Sequence, residues 1–290
     1  MSNMASCFDH PVTQQYLRTP EISVAEFACP GGPERCPEDG ATGPEIVLPR
    51  EGLFERRNRY GQVFADRTVV LFFDTNDPFE IHHPVQTPDS CTVISLSDRL
   101  IDELCTLPGQ DASPFFAVGA TLTTPSIALV HHDLLWSMFH CTTSDLIYRE
   151  EKALLLVAEI FTELQKRRTS AVLKTSKHVS SEMTSGCAVA DKVLLYLNEN
   201  FRAEITLQGV ADAVNRSPFH LCRSIKNYTG QTIHQHLTAL RLDSALKLLR
   251  TSKQPITEIA LELGYSSHSH FTALFKQKFG VTPLHYRKNA

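Results

Sequence analysis

The last third of the chain repeats itself. "GVADAVNRSPFHLCRSIKNYTGQT" (Gly209–Thr232) aligns with "EIALELGYSSHSHFTALFKQKFGVT" (Glu258–Thr282). Ala211 matches Ala260 and Val214 matches Leu263 at an offset of 49. One inserted residue later, Leu221 matches Phe271, Ile225 Phe275, Lys226 Lys276 and Gly230 Gly280, at an offset of 50. The apolar positions recur at the spacing of one helix face. Each copy breaks after its first helix at a residue that tolerates a left-handed backbone, Asn215 or Gly264. Each then restarts at a capping hydroxyl, Ser217 followed by Pro218 in one, Ser266 or Ser267 in the other. Such a chain is held to two helix–turn–helix units. One unit alone is a weak signal that an αα-hairpin bundle also gives. Two in tandem, polar and basic on the equivalent surface, favour insertion into the major groove of DNA.

Charge follows the same division. Residues 188–290 hold 13 Lys and Arg against 7 Asp and Glu, a net of +6, whereas the whole 290-residue chain carries −4. A basic segment on an acidic body points to a polyanionic partner. No apolar run reaches the ~18 residues of a membrane span, and the amino terminus lacks the basic start and apolar centre of a secretory signal. We therefore expect a cytoplasmic, nucleoid-associated protein with no membrane partner. The eight cysteines are scattered, and a reducing compartment argues for free thiols.

Between the copies, "HQHLTALRLDSALKLLRTSKQP" places Leu237, Leu240, Ala245, Leu248 and Leu249 at helical spacing. This predicts a rigid helix that sets two reading helices about one DNA turn apart, ~34 Å. "SSHSH" then offers small caps toward phosphate and His268, Ser269 and His270 toward bases, with Phe271, Leu274 and Phe275 behind as core.

Residues Arg241–Lys288 resemble the AraC/XylS family of bacterial transcription regulators. The family's pattern falls on Arg241, Ala245, Leu248 and Leu249 of the linker helix. It continues through Ile256, Ile259, Ala260, Gly264, Tyr265, Ser267, Phe271, Phe275, Lys276, Phe279, Gly280, Pro283, Tyr286 and Arg287. The likeness extends over about residues 190–288. Gly209 departs from it, where relatives usually carry an acidic residue; Gly costs a helix about 1 kcal/mol relative to Ala. The resemblance implies an α+β, multidomain chain: a β-rich, cupin-like sensor barrel with following helices, then an all-α domain of two helix–turn–helix units. It implies an effector-responsive activator that binds promoter double-stranded DNA and contacts RNA polymerase. By the same resemblance the first reading helix presents Phe219, Cys222 and Arg223 to bases, with His220 and Lys226 near the backbone. The second presents His268, Ser269, His270, Thr272 and Ala273, with Lys276 near phosphate. A guanidinium bonds guanine bidentately, which singles out Arg223. Ala273 meets only a thymine methyl, and Phe219 is divided between surface and core.

The remainder divides by composition. Residues 1–45, with "CPGGPERCPEDGATGP", read as turns and loops. Residues 46–168 form the sensor region, strand-rich to Ser97 and helical beyond. In "DLIYREEKALLLVAEIFTELQKRR" an amphipathic stripe runs through Leu154, Val157, Ala158, Phe161 and Leu164, suited to packing on its own barrel or on a second copy, a homodimer. Residues 169–187 read as a linker and 188–290 as the DNA-binding domain.

The densest polar cluster of the sensor region is "PFEIHHPVQTPDSCT", with Glu80, His82, His83, Asp89 and Cys91. Alternation sends Glu80 and His82 to one face of a strand and His83 to the other. Glu80, His82 and Cys91 are the candidate effector contacts, for a small organic molecule in a mostly apolar pocket. Redox or heavy-metal sensing by Cys29, Cys36 and Cys91 is a competing reading. A metal centre needs ligands converging from several strands, and no second His-rich strand is visible; we expect no metal and no cofactor. The rival function is a cupin-type metal-dependent enzyme with a helical appendage, but neither a metal triad nor a nucleophile with its base is apparent. A nucleoid-associated protein without effector is a weaker third.

Overall fold

Four strands of the amino-terminal half share one phase. β2 (Ile22–Cys29), β4 (Glu45–Glu51), β7 (Val69–Phe73) and β9 (Asp89–Leu96) send Ile22, Val24, Ile46, Leu48, Val70, Phe72, Ile94 and Leu96 into one core. Val47, Leu71, Phe73 and Cys91, of opposite parity, enter a second core. This is the two-residue period of a pleated strand. With β1 (Val12–Arg18) and β10 (Ala120–Leu122) at its edges, these strands make a six-stranded antiparallel sheet in the order β1-β2-β9-β4-β7-β10. A second antiparallel sheet runs β3-β8-β5-β6, from β3 (Cys36–Glu38), β8 (Phe79–His82), β5 (Phe54–Asn58) and β6 (Gly61–Ala65).

The computed structural model describes residues 12–31, 36–38, 41–59, 61–75, 77–83, 88–105, 119–140, 146–172 and 183–289. Two compact units divide the chain, Met1–Lys174 and Thr175–Ala290. In the first, the six-stranded sheet is covered on both faces. The small sheet contributes Phe54, Ala65 and Ile81 to one core. On the other, α1 (Asp98–Cys105), α2 (Pro125–His140) and α3 (Leu146–Val172) contribute Leu100, Ile127, Leu134, Leu156, Ile160 and Phe161 among others. Two-sided burial explains the unbroken apolar run "VVLFF", which a one-sided strand would interrupt.

Three expectations need correction. The strands among the described residues form two sheets rather than one closed barrel. Residues 1–45 are not all turns: β1, β2 and β3 lie there, and β2 pairs with β9 over its whole length, a long-range partner that masks its weak local signal. The buried stripe of α3 runs through Ala153, Leu156, Val157, Ile160, Phe161 and Leu164, while Leu154 and Ala158 face solvent. Of the linker, residues 173–182 lie outside the described residues, and α4 (Met183–Asn200) begins within it.

The second unit continues with α5 (Leu207–Ala213), α6 (Pro218–Thr229), α7 (Ile233–Thr251), α8 (Ile256–Glu262), α9 (His268–Phe279) and α10 (Pro283–Lys288). Three of the four matched apolar pairs, Ala211 and Ala260, Leu221 and Phe271, Ile225 and Phe275, are essentially inaccessible; in the fourth Leu263 is buried and Val214 half-buried. Arg241 of α7 donates to the carbonyls of Phe201 and Ala203 at 2.7 Å each and lies over the Tyr265 ring. Arg287 of α10 closes the far end, donating to the carbonyls of Leu249 and Gln254. No helix among the described residues is long and apolar enough to cross a membrane.

Candidate nucleic-acid interface and amino-terminal cavity

Each reading helix is fixed at both ends by its own sequence. In the first unit Asn215 takes φ 52°, Ser217 Oγ accepts the His220 amide, Pro218 opens α6 and Gly230 ends it in the left-handed region. In the second, Gly264 takes φ 77°, Ser267 rather than Ser266 accepts the His270 amide, and Gly280 ends α9. Gly209, the departure noted above, donates its amide to the Thr206 cap. A capping hydroxyl is worth about 1 kcal/mol.

With the cores inside, the candidate contacts are outside. Phe219, His220, Cys222, Arg223 and Lys226 are exposed on α6; Phe219, at 78% exposure, is not core. On α9, His268, Ser269, His270, Ala273 and Lys276 are exposed and Thr272 is half-buried. Some are already engaged. Lys226 donates to the Gly230 carbonyl at 2.7 Å, where a cation suits the carboxyl end of α6. His268 Nε2 meets Thr272 Oγ1 at 3.4 Å, and the His270 ring meets Tyr265 edge-on.

In the amino-terminal unit the pleat decides which polar residues meet. Phe27, Cys29, Glu45, Val47, Phe54, Phe73, Phe79, Ile81, His83, Asp89, Cys91 and Val93 line a cavity of about 80 Å³. Of the three candidate effector contacts only Cys91 lines it. Glu80 and His82 have the wrong parity: Phe79 and Ile81 face inward, and His82 Nδ1 approaches Glu55 at 3.5 Å instead. Cys36 sits opposite Ile81 in β3, and its side chain lies outside the described residues.

The residues that do converge are Cys29, His83 and Asp89, all buried. Cys29 and Asp89 are directly opposite in the β2–β9 ladder, and His83 follows β8. His83 Nε2 contacts Asp89 Oδ2. Burial works against a charged imidazole, but contact with the Asp89 carboxylate and the Cys29 thiol overrides it and lifts His83 to about 9. Burial also pushes the Cys91 thiol well above its ordinary range and raises the Glu45 carboxyl. The sequence reading grouped Cys29 with Cys36 and Cys91 and kept it apart from the His83 and Asp89 cluster; strand parity plus a partner for β2 would have joined them.

The shared pattern extends to known proteins. A family model described as a helix-turn-helix domain matches residues 210–289. The C-terminal domain of AraT, a response regulator from Geobacillus stearothermophilus, is 34% identical, over 35% of this chain and 85% of that one, with a TM-score of 0.35. Shared sequence, not superposition, decides the relation. Through this domain the chain belongs to the AraC/XylS family. Two curated members of similar sequence are activators by name. The "Bifunctional transcriptional activator/DNA repair enzyme AdaA" of Bacillus subtilis is 33% identical over 98 residues, 34% of this chain and 46% of that protein. The "HTH-type transcriptional activator RhaS" of Salmonella schwarzengrund is 34% identical over 105 residues, 36% of this chain and 38% of that protein. The chain thus spans less than half the length of these AraC-type relatives.

Proposed function

We propose that this protein is a sequence-specific DNA-binding transcription regulator, an activator whose output depends on a small effector held in the amino-terminal unit. One observation carries the reading: two capped helices, each with its apolar side in a core and its polar, basic side free. AdaA and RhaS, matched over this region, are both named activators. Each second helix enters a major groove; α7, with 19 residues, is ~28 Å long, of the order of one DNA turn. Arg223 reads guanine, the neighbouring exposed residues of α6 and α9 read or flank the remaining bases, and Lys276 meets phosphate. The regulator works in the cytoplasm, contacts RNA polymerase, and pairs with a second copy through α3. A cupin-like sensor is the reading of the two-sheet unit that fits an effector between its sheets.

Fluorescence anisotropy on a promoter identified by genome-wide mapping tests this. Arg223→Ala is expected to erase about 1–3 kcal/mol of discrimination between that site and one mutated at its guanine. Lys276→Ala is expected to weaken all sequences alike and reduce the salt slope by about 1. Discrimination kept by Arg223→Ala removes that assignment. A folded chain that binds no promoter beyond bulk charge removes the function.

A further inference from the structure

We propose that Cys29, His83 and Asp89 form a binding site for a thiophilic divalent transition metal, zinc being the best match, with a coordination position open to the cavity. A thiol, an imidazole and a carboxylate reach this point from three separate places in the fold: the end of β2, the residue after β8, and the start of β9. Their ligand atoms all lie within 4.8 Å of one another. Donors on a tetrahedral ion with bonds of ~2.0–2.3 Å are roughly 3.3–3.8 Å apart, so small side-chain adjustments close the set. Mixed sulfur, nitrogen and oxygen donors suit zinc and its neighbours, whereas calcium and magnesium take oxygen alone.

Two further observations point to a missing partner. The side chains of His83 and Asp89 are 1% and 3% exposed, yet among the described residues His83 Nδ1 and Asp89 Oδ1 have no hydrogen-bond partner. A buried polar atom left unmade carries an uncompensated desolvation cost, and an ion taking an oxygen of Asp89 together with one ring nitrogen of His83 would remove part of it. The cavity, at about 80 Å³, is far below the ~300–1,000 Å³ of organic-ligand sites but admits an ion with a water or small anion. Gly52 packs closely behind Asp89: at φ 80°, a Cβ there would fall 2.6 Å from Asp89 Cβ and 2.7 Å from the Pro88 carbonyl oxygen. On binding, the thiol proton and the surplus proton of the His83–Asp89 pair leave to solvent, and the metal gives up water for three protein donors.

The ion would occupy the place assigned above to an effector. That regulatory role rests on the regulator reading; occupancy does not, and it is measured without DNA. The full chain, reduced and stripped with chelator, is titrated with Co²⁺ and then Zn²⁺. One Co²⁺ per chain is expected, with a thiolate-to-cobalt charge-transfer band and intense tetrahedral ligand-field bands that Zn²⁺ bleaches. Cys29→Ser should lose the charge-transfer band, His83→Gln and Asp89→Asn should bind more than about 100-fold more weakly, beyond the loss typical of outer-sphere changes. Cys222→Ser, on the reading helix α6, should change none of this. A wild-type chain without the thiolate band, or Cys29→Ser with the band intact, overturns the site. Should Cys29→Ser not fold, Asp89→Asn decides: unchanged affinity overturns it equally.

Discussion

Asn215 and Gly264 hold the turns of the two units in the same left-handed backbone, at φ 52° and 77°, but their surroundings differ. Asn215 is exposed, so its conformation is a local cost of at most about 1–2 kcal/mol that Asn tolerates. At Gly264 a Cβ would lie 2.6 Å from Arg241 Nη2 and 2.7 Å from the Arg202 carbonyl oxygen. Of the two turns, this one combines backbone strain with close approach. Gly264→Ala is expected to cost well over about 2 kcal/mol, because the conformational penalty and the displacement of Arg241 from its carbonyls add. Gly280→Ala, at φ 78° in open space, should cost only the conformational part. Urea unfolding of the carboxy-terminal unit, followed by circular dichroism, separates the two; equal losses would mean that the Arg241 contact contributes nothing. Both turn residues and both caps are legible in the sequence, since each acts within a few residues of its own position.

At the scale of elements, legibility tracks sequence distance. The helices of the second unit announce themselves through periodicity and capping. β1 and β2 do not, because β2 is held by β9 from far along the chain and its own residues, "ISVAEFAC", alternate weakly. The cavity inherits that obscurity: Cys29 reaches His83 and Asp89 only through this pairing, and Glu80 and His82 looked like partners because they are neighbours in sequence. A side-chain strap reinforces the same sheet. Glu26 of β2 pairs with Arg50 of β4 across the intervening β9 and accepts a hydrogen bond from Tyr16 at 2.7 Å. Partial burial works against the Glu26 carboxylate, but Arg50 and Tyr16 outweigh it and lower its pKa; Tyr16 is pushed up to about 12, by burial first and by Glu26 second. Because the folded value of Glu26 lies below the unfolded ~4.3, the strap contributes fully above that pH and is lost as acid carries the solution through the lower value. Glu26→Gln is therefore expected to destabilise the amino-terminal unit by up to about 1 kcal/mol at neutral pH and by progressively less toward pH 3. A destabilisation that stays constant from pH 7 to 3 in thermal unfolding would exclude the carboxylate as its source.

Across the whole molecule, the acidic and basic portions fall in different compact units, and α3 offers the first of them an outward apolar face. Ile147, Leu154 and Leu155 are 84%, 36% and 47% exposed on a helix whose other side is core. Ile147 and Leu154 are one heptad apart, on the same side of the helix. Ile147→Glu with Leu154→Glu is expected to convert a dimer to monomers in sedimentation velocity while leaving the circular dichroism unchanged. A wild-type chain that sediments as a monomer at tens of micromolar removes the pairing.

The duplicated unit has outgrown its own symmetry. Where one copy displays an aromatic ring, a thiol and a guanidinium, the other displays two imidazoles and small hydroxyls. Any stretch of duplex spelled out by such a pair has unlike left and right halves, and flipping it end for end would hand each helix the other's letters. On the proposed reading, a single polypeptide bound there would have a direction along the duplex, which a twofold-symmetric reader would lack.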